Sequence, residues 1–114
     1  MTRIYVPATV ESLARWHHAG AIPAGALAEG YAAADETEEG EYAALMSAAD
    51  ASAGLLPGPG RRVVVVVDAA GGDAAVGWDD VVAVHADLDE RPAGADPDED
   101  LGWFATQEVP DLLG

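Results

Sequence analysis

The chain has 114 residues and no cysteine, which excludes disulfides, thiolate metal sites and a cysteine nucleophile and leaves stability to packing. Its 21 Asp and Glu face five arginines and no lysine, for a net charge of −16, and no basic cluster exceeds the pair Arg61 and Arg62. Nucleic acid and anionic membrane surfaces are therefore excluded as partners, because affinity for phosphate is carried by Lys and Arg.

In chain order, Thr2 to Pro7 alternates, with Ile4 and Val6 on one face and Arg3 and Tyr5 on the other, the period of a half-buried strand. Thr9 then caps a helix that carries Glu11 in its first turn, ends at Gly20 and turns Val10, Leu13, Ala14 and His17 inward. The shared parity of Leu27, Glu29, Tyr31 and Ala33 predicts a short strand within residues 26–34. Asp35 and Glu38 have capping-box spacing and open a second helix, with Tyr42, Leu45, Met46, Ala49 and Leu56 at helical intervals and Pro57-Gly58-Pro59-Gly60 as its stop.

Arg61 to Ala69 is the clearest strand, since consecutive valines lose rotamer freedom in a helix and suit a pleat. Both of its faces are apolar, which predicts a central strand covered on two sides, with Arg61, Arg62 and Asp68 as charged gatekeepers. The run of five valines, Val63 to Val67, is far too short to span a membrane. Gly71-Gly72-Asp73 turns the chain, and Val81 to Leu88 forms a further strand antiparallel to the valines, with Val82, Val84, Ala86 and Leu88 on one face. Beyond the loop from Glu90 to Asp100, Leu101 to Ala105 is the last strand, followed by a turn or short helix through Leu113.

These elements predict one domain over residues 1–114 of the α+β class. The expected form is a two-layer sandwich, a mixed sheet of four to five strands with two helices on one face and a parallel first strand pair. Such a sheet leaves one set of valines, either Val63, Val65 and Val67 or Val64 and Val66, without cover, and a second copy of the chain is expected to supply it as a salt-promoted homodimer. With no basic region and apolar block at the start of the chain, the expected location is the cytoplasm.

Few groupings carry chemistry. Asp96, Asp98 and Asp100 begin like a calcium loop, but Leu101 stands where the turn needs Gly and Gln107 where a bidentate Glu belongs, so a solvated acidic loop is expected and no metal site. Gly58 and Gly60 lead into a strand rather than a phosphate-binding helix, and no serine lies in a nucleophile elbow. His85 and Asp87 share a strand face and, with Glu108 or His17, are the material for an acid–base or metal-assisted site, against the alternative of a polar sheet face. Trp103, Phe104, Gln107 and Glu108 are the densest aromatic and polar group, to be read as a binding surface only if a ring is exposed.

Arg3-Ile4-Tyr5-Val6-Pro7-Ala8-Thr9, the stretch Ala83-Val84-His85-Ala86-Asp87 and Trp103-Phe104-Ala105-Thr106-Gln107-Glu108 resemble the motifs of a family of short actinobacterial proteins of unknown function. The likeness spans most of the chain, which is shorter than that family between the valine and His85 strands, and it implies no activity, cofactor or catalytic residue. The abundance of Ala, Gly, Val and Asp beside the absence of Lys and Asn fits a GC-rich genome. The sequence therefore supports a non-enzymatic binding or regulatory module, cofactor-free, with an acidic surface suited to a basic protein partner. The alternative is a small enzyme using His85, Asp87 and Glu108.

Overall fold

The valine run occupies the middle of the protein. In the computed structural model, which describes residues 2–33, 35, 37–69, 75–92 and 94–113, it is the central strand of a five-stranded antiparallel sheet. The chain runs β1 (Thr2–Ala8), α1 (Val10–Ala19), β2 (Ala21–Ile22), α2 (Ala24–Ala28), β3 (Tyr31–Ala32), α3 (Glu38–Leu55), β4 (Val63–Ala69), β5 (Val76–Gly77), β6 (Val81–Ala86), β7 (Gly102–Phe104) and α4 (Val109–Leu113). The main sheet has the order β3-β1-β4-β6-β7, and β2 and β5 form a separate ribbon. Among the described residues no helix is long and apolar enough to cross a membrane.

Alternation along β4 divides the core in two. Val63, Val65 and Val67 join Val6 and Ala8 of β1 and Val84 and Ala86 of β6 on one face, packed against Leu13 and Trp16 of α1, Leu27 of α2 and Val109 and Leu112 of α4. Val64 and Val66 join Tyr5 and Ala83 on the other face, under Ala44, Ala48 and Ala49 of α3. The α+β class and five strands are as the sequence predicts, but the arrangement differs in two respects. Every pairing is antiparallel, so the sheet is not mixed and β1 and β3 are not a parallel pair. Helices also lie on both faces, so neither set of valines is left for a second copy to cover.

Local corrections have local causes. Thr9 caps α1 and Gly20 ends it in a left-handed turn (φ 76°), as expected, but Trp16 fills the inner position and His17 meets Trp78 edge-on at 5.1 Å. Residues 24–28, expected partly as strand, are helical, and only Tyr31 and Ala32 pair with β1. The cap of α3 is Thr37, whose hydroxyl accepts from Gly40, while Asp35 holds Thr37 instead of forming a capping box with Glu38. The inward face of α3 is Ala44, Ala48, Ala49 and Ser52, because small residues allow close approach to the sheet. The larger Tyr42 stays half exposed. The expected Gly71-Gly72-Asp73 turn lies outside the described residues.

A bulge in β6 sets which of its side chains face the core. Val66 pairs with Ala83 but Val67 with Val81, so Val82 is the extra residue and the faces switch across it. Val82 is consequently exposed while Val84 and Ala86 are buried, and the expected single face of Val82, Val84, Ala86 and Leu88 is broken.

Ser52, fully buried, closes one end of the sheet: its hydroxyl donates to the Ala8 carbonyl at 2.6 Å and accepts the Val63 N–H at 2.9 Å. Ser52→Ala removes both bonds inside the core and is expected to cost about 1–3 kcal/mol, the usual penalty for buried groups left unsatisfied. Urea denaturation of the variant beside the parent chain checks it, and superimposable curves would refute the role.

Candidate functional site

The ends of β4 and β6 meet at a buried ion pair. Arg62 and Asp87 flank apolar strands, and the Asp87 N–H continues the sheet by donating to the Arg62 carbonyl at 3.1 Å. The Arg62 main-chain N–H and Nε donate to Asp87 Oδ2 at 2.8 and 2.9 Å, and Nη2 donates to Oδ1 at 2.8 Å. Arg62 is 2% exposed and Asp87 5%, so the expectation that Arg62 is a surface gatekeeper is corrected. Burial pushes the Asp87 carboxyl up, but the Arg62 hydrogen bonds and the charges of Arg62 and Arg91 outweigh it and hold it below the usual carboxylate range.

The remaining donors of this cluster fix the loop between β6 and β7. Arg62 Nη2 donates to the Glu99 carbonyl at 2.8 Å and Nη1 to the Pro97 carbonyl at 3.3 Å. Arg61 Nε donates to the Asp87 carbonyl at 2.7 Å, and Arg61 Nη1 reaches the Leu112 carbonyl of α4 at 3.4 Å. Arg91 donates to the Asp96 carbonyl, lies 3.5 Å from the Glu99 carboxylate and pairs its backbone with Gly60. Two of the three aspartates of the calcium-like spacing are engaged separately: Asp96 accepts from the Asp98 N–H, and Asp100 accepts from the Tyr42 hydroxyl at 2.8 Å, a bond that pushes the Tyr42 phenol up. Among the described residues no group of three or more metal-ligating side chains converges.

The loop so held borders a cleft of about 510 Å³, lined by the acidic residues Asp89, Glu90, Glu99 and Asp100 beside Leu88, Leu101 and Gly102, with Arg91 and Asp87 also in its wall. Next to it, β7 is the edge of the sheet, and no other strand pairs with its outer side among the described residues. His85 and Trp103 are cross-strand partners on the face that α3 covers further along. α3 packs over β3, β1 and β4, so at this flank the Trp103 ring remains 61% exposed and His85 is half-buried. Burial pushes the His85 imidazole down from its ordinary value. Of the six large apolar side chains exposed among the described residues, Val82, Leu88 and Trp103 belong to β6, this loop and β7, and Tyr42 is tied to the loop through Asp100.

The sequence candidates are thus dispersed. Asp87 is taken up by Arg62, and Glu108 accepts from the Ala105 N–H at 2.9 Å within its own turn. That turn leads into α4, on the layer opposite α3, and His17 belongs to the α1 layer as well. Phe104 packs against the core beside Val84, while Gln107 is exposed. Trp103 and His85 alone of the set stand side by side. Tyr42, Leu88, Leu101 and Asp100 were missed as companions because they come from separate stretches of chain, and the only sequence signal was the apolar Leu88 and Leu101 framing an acidic loop.

The profile of a family of unknown function, DUF6912, matches residues 2–113. The chain belongs to this family. No curated protein and no solved structure matches the chain. As a DUF6912 protein it carries a family relation without an assigned activity, and what it can do rests on its own geometry.

Asp87→Asn is expected to cost about 3–5 kcal/mol, because Arg62 keeps its charge in a buried site without a counter-ion. The double change Arg62→Met with Asp87→Leu should recover much of that loss. Because the folded Asp87 carboxyl lies below its unfolded value of about 3.9, its stabilisation is complete above that pH and is lost as pH falls through the lower folded value. Urea melts at stepped pH check both, since the parent should lose more stability than Asp87→Asn across that acidic window.

Proposed function

We propose that this protein is a non-enzymatic binding module that holds a protein partner with a basic surface at its β6–β7 flank. The observation that carries the reading is Trp103, exposed on an edge strand beside His85 and flanked by the acidic cleft. An apolar ring of this size in water is a cost unless it is covered, and aromatic side chains are the usual anchors of interfaces.

The charge chooses the partner. Arg3 is paired with Asp68 and Glu41, and Arg62 and Arg91 are turned to Asp87 and Glu99, so the cations near the site are already engaged. A basic segment would meet Asp89, Glu99 and Asp100 around the cleft and could lay a guanidinium on the Trp103 ring. Opposite surface potentials also speed encounter. The enzyme reading gains no comparable support, since Asp87 is held by Arg62 and Glu108 accepts from the Ala105 N–H within its own turn.

The test is calorimetric titration with a short arginine-rich peptide at low salt, with a glutamate-rich peptide as control. Binding of the first alone is expected, weakening as salt is added. Trp103→Ala should lower the affinity about tenfold, in the range of a desolvated cation–π contact. No heat with the arginine-rich peptide, or an affinity indifferent to Trp103, would sink the reading.

A further inference from the structure

We infer that the partner binds as an added strand on the outer edge of β7, an extended segment with basic residues at alternate positions. The inference rests on the proposed binding of a basic partner and specifies its mode. β7 is the terminal strand of the sheet, and its backbone from Gly102 to Phe104 has no strand on its outer side among the described residues. Edge strands are commonly protected by Pro, Lys or an inward-pointing charge, and Gly102-Trp103-Phe104 contains none of these. The opposite edge, β3, offers only two residues and lies beside α3.

The alternation of side chains gives the occupant its pattern. Residues two apart on a strand share a face. A segment paired with β7 therefore places one side chain beside Trp103, on the face where His85 already stands, and the next of that parity beside Leu101, at the acidic cleft. Both positions suit Arg or Lys: the first has an exposed aromatic face, the second a cleft lined by Asp89, Glu90, Glu99 and Asp100, whose acids outnumber its one arginine, Arg91. The intervening side chains fall on the side of Gly102 and Phe104, where Phe104 is already packed into the core and little room for selectivity remains. Main-chain hydrogen bonds then supply affinity and the alternate basic residues supply choice, the division of labour in strand addition.

The backbone of a strand alternates as its side chains do, so the N–H groups of every second residue point to the same edge. The probe is a ten-residue peptide alternating arginine and threonine, compared with two versions N-methylated either at every arginine or at every threonine. Strand addition predicts that one methylated version loses affinity about tenfold or more, from the loss of the one or two peptide N–H bonds that the three-residue β7 can accept and from the methyl groups set against its edge, while the other binds like the parent peptide. It also predicts slowed amide exchange at Trp103 or its β7 neighbours when the parent peptide is present. Equal binding by all three peptides would overturn strand addition and leave a charge-driven partner in place. Failure of the parent peptide to bind would overturn both readings. A mass that doubles with concentration in the absence of peptide, together with exchange protection in β7, would give the edge to a second copy and overturn the basic segment.

Discussion

Removing the Arg62 guanidinium and the Asp87 carboxylate from water is costly, and the attraction between them offsets the cost only with close geometry and satisfied remaining donors. Both conditions are met here. The carboxylate receives three N–H groups from Arg62 alone, and the guanidinium spends its other hydrogens on the carbonyls of Pro97 and Glu99. An arginine suits this position because its planar fork can serve a carboxylate and two loop carbonyls at once, which a lysine ammonium could not do with the same directionality. The consequence reaches beyond the pair. By binding the loop at residues 97 and 99, Arg62 brings the chain back toward β6 so that Gly102 can pair opposite Ala86. The exposed flank is therefore built upon a buried contact at the ends of two other strands.

The sheet can afford such a polar junction because its centre is otherwise dry. β4 is covered on one face by α1, α2 and α4 and on the other by α3, whose alanines bring the helix close to Tyr5, Val64 and Val66. The same closeness restricts the helix to one side of the sheet. It packs over β3, β1 and β4, and the far side of that face, where Trp103 stands, is left to the loop and to solvent. The uncovered flank is thus a geometric result of laying one helix across a five-stranded sheet.

What the sequence made legible follows from how local each signal is. The division of Ile4 and Val6 from Tyr5, the cap at Thr9, the stop at Gly20 and the central position of the valines are all decided within a few residues and appear as expected, although β1 is not half-buried, since α3 covers Tyr5 as well. The second layer of helix did not, because Ala44, Ala48 and Ser52 carry too little hydrophobic contrast to mark an inward face; of the bulkier residues, Leu45 does pack against this core, while Tyr42 misdirected the reading. The bulge at Val82 is invisible to a period-two count, since nothing in Val81-Val82-Ala83 distinguishes the extra residue. The Arg62 and Asp87 contact joins positions 25 residues apart, and from sequence each resembles an ordinary charged strand end. Of the candidate site, Trp103 and His85 were legible only as members of two separate groups, because their adjacency across β6 and β7 depends on register, which the arginine cluster helps to set.

The same arginines also shape the field around the flank. Arg62 is buried, Arg61 is held to main-chain carbonyls, and Arg91 and Arg3 lie against carboxylates, which leaves Arg15 as the exposed arginine of α1. Most of the charge of −16 is consequently unscreened by neighbouring cations and acts on whatever approaches. At physiological salt that field reaches only about 8 Å, enough to steer a basic segment in the last steps of an encounter and to hold a like copy away, but not to bind either tightly. Tenacity has to come from groups that lose water on contact, and at this flank those are Trp103, Leu88 and the open backbone of β7. Charge and contact are therefore separate properties of one surface, and the inward use of the arginines accounts for both: it fixes the loop that presents the contact groups, and it withdraws the positive charge that would repel a basic partner.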